Sequence, residues 1–301
     1  MTISPQNLEV PGLDVTTVAP IAVGVDGTEP CLAAVEWAAA EAVRVGASLE
    51  LVHAYPATVI EYPVTPVGRQ RAEIAFAAAR ERLAASPYTG VTMTTRATQG
   101  SPSRILLRSA KAARMVVLGR THTGRVSGLL STSTAVACAS GAKVPVTVVP
   151  ASWSGAGVGV GDEPVVVGVD GSERCQPAIR HAFEVAADLG VGVQAVLALD
   201  LPAGYPQGWP IGNGTGFLRE DGRRSLQEVL ESPRLSYPDV KVDAVVDERS
   251  PADALMDYGR TGNRIVIGGR GHGLVTGALL GSVARTILRR APSPVTVVHS
   301  P

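Results

Sequence analysis

The chain repeats itself. "PIAVGVDGTEPCLAAVEWAAAEAVRVGASLELVHAY" from Pro20 aligns without gaps on "PVVVGVDGSERCQPAIRHAFEVAADLGVGVQAVLAL" from Pro164, with roughly 14 of 36 positions identical. Farther on, "MVVLGRTHTG" matches "RIVIGGRGHG", and "VPVTVV" at 144–149 matches "SPVTVV" at 293–298. A duplication of this extent confines the fold to two copies of one domain. The total of 301 residues agrees, because single cores rarely grow beyond about 250 to 300 residues. Residues 1–18 read as a flexible polar arm, 19–150 as a first domain and 164–301 as a second. Between them 151–163, "ASWSGAGVGVGDE", is rich in Gly and Ser without helical or strand period, and reads as a linker.

Within each copy short apolar runs alternate with longer stretches of helical character, the pattern of an α/β fold with a parallel sheet covered on both faces. Strands are expected near 21–25, 49–54, 91–96, 115–118 and 145–149, and again near 165–169, 193–198, 241–246, 264–268 and 294–298. The stretch "AAVEWAAAEAVRV" between the first two strands is helical by propensity, although its charges do not share one face. A doubly wound five-stranded sheet ordered 3-2-1-4-5 is expected for each copy, with the two copies in tandem. The last strands, "VPVTVV" and "SPVTVV", are then apolar sheet edges, and an unpaired edge is a liability, so they are expected to pair about a pseudo-two-fold axis. The second copy carries extra length, "GYPQGWPIGNGTG" at 204–216, which reads as a loop over the carboxyl ends of the strands or a plain surface insertion.

Composition removes several classes. The start lacks a basic region followed by an apolar core, and no apolar run nears the roughly 18 residues that span a bilayer, so a soluble, cytoplasmic protein is expected. Cys31, Cys138 and Cys175 have no CxxC spacing and read as buried thiols. The five histidines show no HExxH pairing. Net charge is zero and aromatics make up 4%, which disfavours nucleic acid. Charge is nevertheless uneven: 82–160 and 258–301 contain no acid but recurrent arginine, a field for phosphates or else solvated arginine offset elsewhere in each half.

The densest signal is "GGRGHGLVTGALLGSV" at 268–283. Gly268 ends an expected strand, Gly271 follows three residues later, and Gly281 and Ser282 open the last helix. Glycines let backbone N–H groups approach a ligand, and a helix start offers unpaired N–H groups and a favourable dipole to an anion. A tight strand-to-helix loop with a Ser N-cap is the plainer alternative. A P-loop is excluded because the chain has no Gly-Lys pair, and the dinucleotide GxGxxG pattern belongs after a first strand, not a fourth. Asp170, in "GVDGS", ends the strand next to the one closed by Gly268; it can bond a sugar, base or metal at that crevice, or form a turn capping the first helix.

Together "GVDGS", the run Gly, two residues, Gly, nine residues, Gly-Ser, and the strand "PVTVV" resemble the universal stress protein family over both halves. The resemblance implies a flavodoxin-like sheet, ATP as ligand with Mg²⁺, and pairing through the last strands, either between the halves or in a homodimer. It places Asp170, Gly268, Gly271, Gly281 and Ser282 at nucleotide-binding positions, with Ile267, Arg270 and Val283 beside them and Ala198 at an adenine-contacting backbone position. In the first half Asp26, Gly119 and Ser133 match, while His122 and Thr132 stand where glycines belong. Three function classes follow: an ATP-binding regulatory module acting in the stress response, a slow ATPase or autokinase with Asp170 as its sole plausible acid, and a nucleotide-free assembly scaffold.

Overall fold

A computed structural model describes residues 18–55, 67–120, 132–153, 162–201, 214–269 and 280–299. The first half runs β1 (Ile21–Gly24), α1 (Glu29–Val45), β2 (Leu49–Tyr55), α2 (Val67–Ala84), β3 (Met93–Gln99), α3 (Pro102–Ser109), β4 (Met115–Arg120), α4 (Thr132–Gly141) and β5 (Val146–Pro150). The second runs β6 (Val165–Val169), a 3-10 turn (Glu173–Cys175), α5 (Gln176–Leu189), β7 (Val193–Ala198), α6 (Gly214–Ser236), β8 (Val242–Asp247), α7 (Pro251–Tyr258), β9 (Arg264–Gly268), α8 (Ser282–Arg290) and β10 (Val295–Val298).

The strands form one sheet in the order β3-β2-β1-β4-β5-β10-β9-β6-β7-β8. Each half therefore has the expected 3-2-1-4-5 winding, parallel throughout. The inner strands are Val-rich and buried on both faces, as a covered parallel sheet requires. The outer strands β3 and β8 carry exposed polar residues such as Thr95, Arg96 and Asp243, which blunt the free edges. One expectation needs adjustment: the insertion at 204–216 is not irregular to its end, because α6 already begins at Gly214. Its earlier part lies outside the described residues.

The halves meet where β5 and β10 run antiparallel, with Thr147 opposite Thr296 and Val146 and Val148 opposite Val297 and Val295. The two threonine hydroxyls lie 2.9 Å apart, both fully buried, and mark the pseudo-two-fold axis. On the sheet face covered by α3, α4, α7 and α8, a single hydrophobic core crosses this junction, from Leu106 and Val146 in one half to Ile287 and Val297 in the other. On the opposite face each half keeps its own core, one beneath α1 and α2, the other beneath α5 and α6.

A charge cluster bridges the halves on that second face. Arg264 of β9 is wholly buried and donates from Nη1 and Nη2 to Glu41 Oε2 of α1 at 3.2 and 3.1 Å, and from Nε to Asn263 Oδ1 at 3.1 Å. Its guanidinium also stacks 4.8 Å from the Trp37 ring centroid. Arg44 bonds Glu41 on the same helix and reaches Asp188 of α5 in the other half. Here the sequence expectation is corrected, because Arg264 is neither a phosphate field nor a solvated charge offset within its own half. Its counter-ion comes from the other half. Burial alone would raise the Glu41 pKa, but the Arg264 charge and the Arg44 and Arg264 hydrogen bonds outweigh it and hold it at about 2. His181, the second-half counterpart of Trp37, is pushed down to about 4 by burial and then by Arg264.

Breaking a buried ion pair by neutralising one partner costs about 3 to 5 kcal/mol. Glu41→Gln should therefore lower the unfolding free energy by about that amount at pH 7, read from a denaturant titration. Both groups have depressed folded-state values, so both make the protein acid-sensitive. The His181 contribution is complete above its ordinary 6.5 and is lost as pH falls toward about 4. That of Glu41 is complete above its ordinary 4.5 and is lost toward about 2. Below pH 4.5 the stability of Glu41→Gln should fall less steeply than that of the parent; parallel slopes there would contradict the pairing.

Candidate functional site

Parallel strands deliver their carboxyl ends to one edge of the sheet, and in the second half that edge gathers the expected site. Val169 of β6 pairs with Leu197 of β7, so Asp170 and Ala198, one residue farther along each strand, stand side by side. Gly268 ends β9, the other neighbour of β6, and pairs with Val298. Ile267 is buried beneath this row, and Ala198 is half-buried at it.

The two ends of the glycine loop meet. Gly269 N–H donates to Val298 O at 3.0 Å, and Gly281 N–H donates to Gly269 O at 3.2 Å. Gly281 is the N-cap of α8, with no side-chain cap bond, and Ser282 follows it exposed while Val283 is half-buried. The start of α8 is thereby tied to the end of β9. Arg270 and Gly271 lie outside the described residues.

Asp170 Oδ1 accepts from the N–H and the hydroxyl of Ser172 at 2.9 and 2.7 Å, a turn in which the aspartate bonds its own chain two residues on. Asp26 does the same with Thr28, at 3.0 and 2.6 Å. The following Gly27 and Gly171 have φ of +83° and +77°, which explains the Asp-Gly pair in both copies. Each aspartate turn stands just ahead of the helical segment, whose N-cap position is Thr28 in the first half and, before the 3-10 turn, Ser172 in the second.

The first-half counterparts stand on the corresponding elements. Ser133 sits exposed in the first turn of α4 and His122 lies outside the described residues. Gly119 is needed for packing: a Cβ there would lie 2.1 Å from Pro30 O and 2.7 Å from Cys31 N. The first turn of α1 therefore presses on the end of β4; in the second half a 3-10 turn precedes α5, which begins at Gln176. Arg120, one of the acid-free arginines, turns away from its own edge and into the junction.

Sequence reading missed the rim beyond Ala198. Arg249, just after β8, is held by Asp247 at 2.7 Å and Asp257 at 2.9 Å, and Arg219 of α6 meets Glu248 at 2.6 Å. The Arg249 hydrogen bonds are the main reason the Asp247 carboxyl sits below its usual range. Its signal was the charged run "DERS" at the carboxyl end of a strand, directly before a helix capped by Ser250. The three cysteines are buried as expected, and burial pushes Cys31 and Cys138 up to about 12 and Cys175 to about 11, so none is a ready nucleophile. Among the described residues no group of three His, Cys, Asp or Glu side chains is placed to hold a metal, and no helix is long and apolar enough to cross a membrane.

Comparison with known proteins agrees with this arrangement. The universal stress protein family profile matches residues 18–150 and again 163–299. A universal stress protein of Mycolicibacterium smegmatis is 33% identical over 291 residues, covering 93% of this chain and 96% of that protein. One from Mycobacterium tuberculosis is 30% identical over 298 residues, with the same coverage. The crystal structure of a universal stress protein from Archaeoglobus fulgidus superposes with a TM-score of 0.64 at 17% identity, covering 93% of this chain and 98% of that one, a likeness of fold. A shorter solved universal stress protein, in complex with cAMP, covers 45% of this chain at 24% identity and a TM-score of 0.36. With both halves matched and its relatives spanned almost end to end, the chain belongs to the universal stress protein family, as a tandem of two such domains.

Proposed function

We propose that the protein is a nucleotide-dependent regulatory module of the stress response, in which the second half binds ATP with Mg²⁺ and the first does not. The observation that carries this is the closure of the glycine loop on itself. Because Gly281 N–H bonds Gly269 O, the first turn of α8 is brought to the strand edge that carries Gly268, Asp170 and Ala198. A helix start with a glycine cap and no side-chain acceptor is a place that a phosphate completes.

The residues fit a nucleotide better than they fit a metal cage. With no cluster of carboxylates among the described residues, Mg²⁺ would arrive with the phosphates, which is how that ion is commonly held. Catalysis has less support: the Oδ1 of Asp170 is already committed to Ser172, and the identical turn at Asp26 argues that its first task is structural. The first half lacks two glycines of the pattern, and Arg120 cannot compensate by attracting phosphates, because its guanidinium is spent inside the junction.

Gly271→His, which copies the first half into the second, tests this in the full-length chain. A side chain forced into a left-handed backbone costs about 1 to 2 kcal/mol before any clash, and about 1.4 kcal/mol is tenfold in affinity. Calorimetric titration with ATP and Mg²⁺ should show a weakening of about tenfold or more. Unchanged affinity in a folded variant would count against a phosphate-binding loop at 268–283.

A further inference from the structure

Arg120 is the last residue of β4, in the half with the interrupted glycine pattern, and its counterpart in the other half is Gly269. It is 5% exposed and crosses the β5–β10 junction to the end of α8. There Nη1 donates to Arg289 O at 2.5 Å and Nη2 donates to Ala291 O. These carbonyls belong to the carboxyl end of a helix, where backbone oxygens lack partners inside the helix and the dipole is negative. A planar guanidinium fork matches two such oxygens better than an ammonium does. The two carbonyls are the acceptors it reaches among the described residues, and burial lowers the Arg120 pKa, a sign of the desolvation this placement carries.

The same helix is tied at its other end by Gly281 N–H to Gly269 O. α8 has nine residues, a rod of roughly 13 Å; Ala284, Ile287 and Leu288 seat it in the shared core, and a hydrogen-bonded anchor holds each end, one from each half of the chain. The geometry assigns Arg120 as a positioning residue for the nucleotide site of the second half: it holds α8 from behind, so that Gly281 and Ser282 stand where phosphates reach them. The first half thus serves a site it does not line. This rests on the proposal that the second half binds ATP.

Full-length Arg120→Gln, Arg120→Lys and Thr147→Val separate positioning from mere adhesion between the halves. Thr147→Val removes the hydroxyl contact at the centre of the junction and does not touch α8. In calorimetric titration with ATP and Mg²⁺, Arg120→Gln should weaken binding roughly tenfold. Arg120→Lys should recover part of the loss, because an ammonium donates without the fork. Thr147→Val should lower Tm and leave Kd unchanged. Equal affinity of Arg120→Gln and the parent, or equal weakening by Thr147→Val, would overturn the assignment. Should the Arg120 variants fail to fold, hydrogen exchange on the parent decides: ATP should slow exchange in the last turn of α8, and no change there overturns the assignment. A parent chain that binds no ATP would instead remove the nucleotide proposal beneath it, a result visible before any substitution is made.

Discussion

The antiparallel pairing of β5 with β10 around Thr147 and Thr296 is the constraint from which the remaining architecture follows. Within each half all strands are parallel, so a single antiparallel junction points the two carboxyl edges in opposite directions. The carboxyl edge of one half then adjoins the amino edge of the other. That is why Arg120, at the end of β4, meets the end of α8, and why His299 Nε2, just past β10, lies 2.5 Å from Ala139 O in the last turn of α4. The pairing also makes the hydrophobic core under α4 and α8 common to both halves, and leaves Glu41 and Arg264 to neutralise each other across the opposite face. Separated halves would each expose part of that core, and one would carry Arg264 without its counter-ion.

Much of this was legible from local pattern. The short, mostly apolar runs at 165–169, 193–198 and 264–268 are the observed strands β6, β7 and β9, because a strand covered on both faces leaves a nearly continuous apolar signal, broken here only by Gln194 and Arg264. Pairing of the last strands followed from the cost of an open apolar edge, and the start of α8 from a Gly-Ser step ahead of a helical segment. What stayed hidden was contact between distant positions. Glu41 on an Ala-rich helix looks like an ordinary solvated charge, and nothing near it in sequence announces an arginine 223 residues away. The same limitation made the arginines of the acid-free segments look alike, although Arg264 and Arg120 are buried in the junction. Even the charges of α1 that share no clean face have a physical reason: one side of that helix faces the sheet and another faces the partner half.

The candidate site was legible in part. Asp26 and Asp170 make the same pair of bonds to the residue two positions on, each before a glycine with positive φ. An aspartate so placed in both halves belongs to the turn. The halves differ in sequence at the glycine positions, where the first has His122 and Thr132, and in the 3-10 turn that separates β6 from α5. Duplication kept the scaffold, and the two loops then diverged upon it.

On this account the two halves are one folded body with one nucleotide site. Native mass spectrometry of the full-length chain in the presence of ATP and Mg²⁺ tests that most directly, because it counts ligands per chain without separating halves that share a core. A single bound nucleotide, saturating at one per chain, is the predicted result. Two nucleotides per chain would contradict it by showing that the first half accommodates His122 and Thr132 and binds as well; none at all would contradict the site itself.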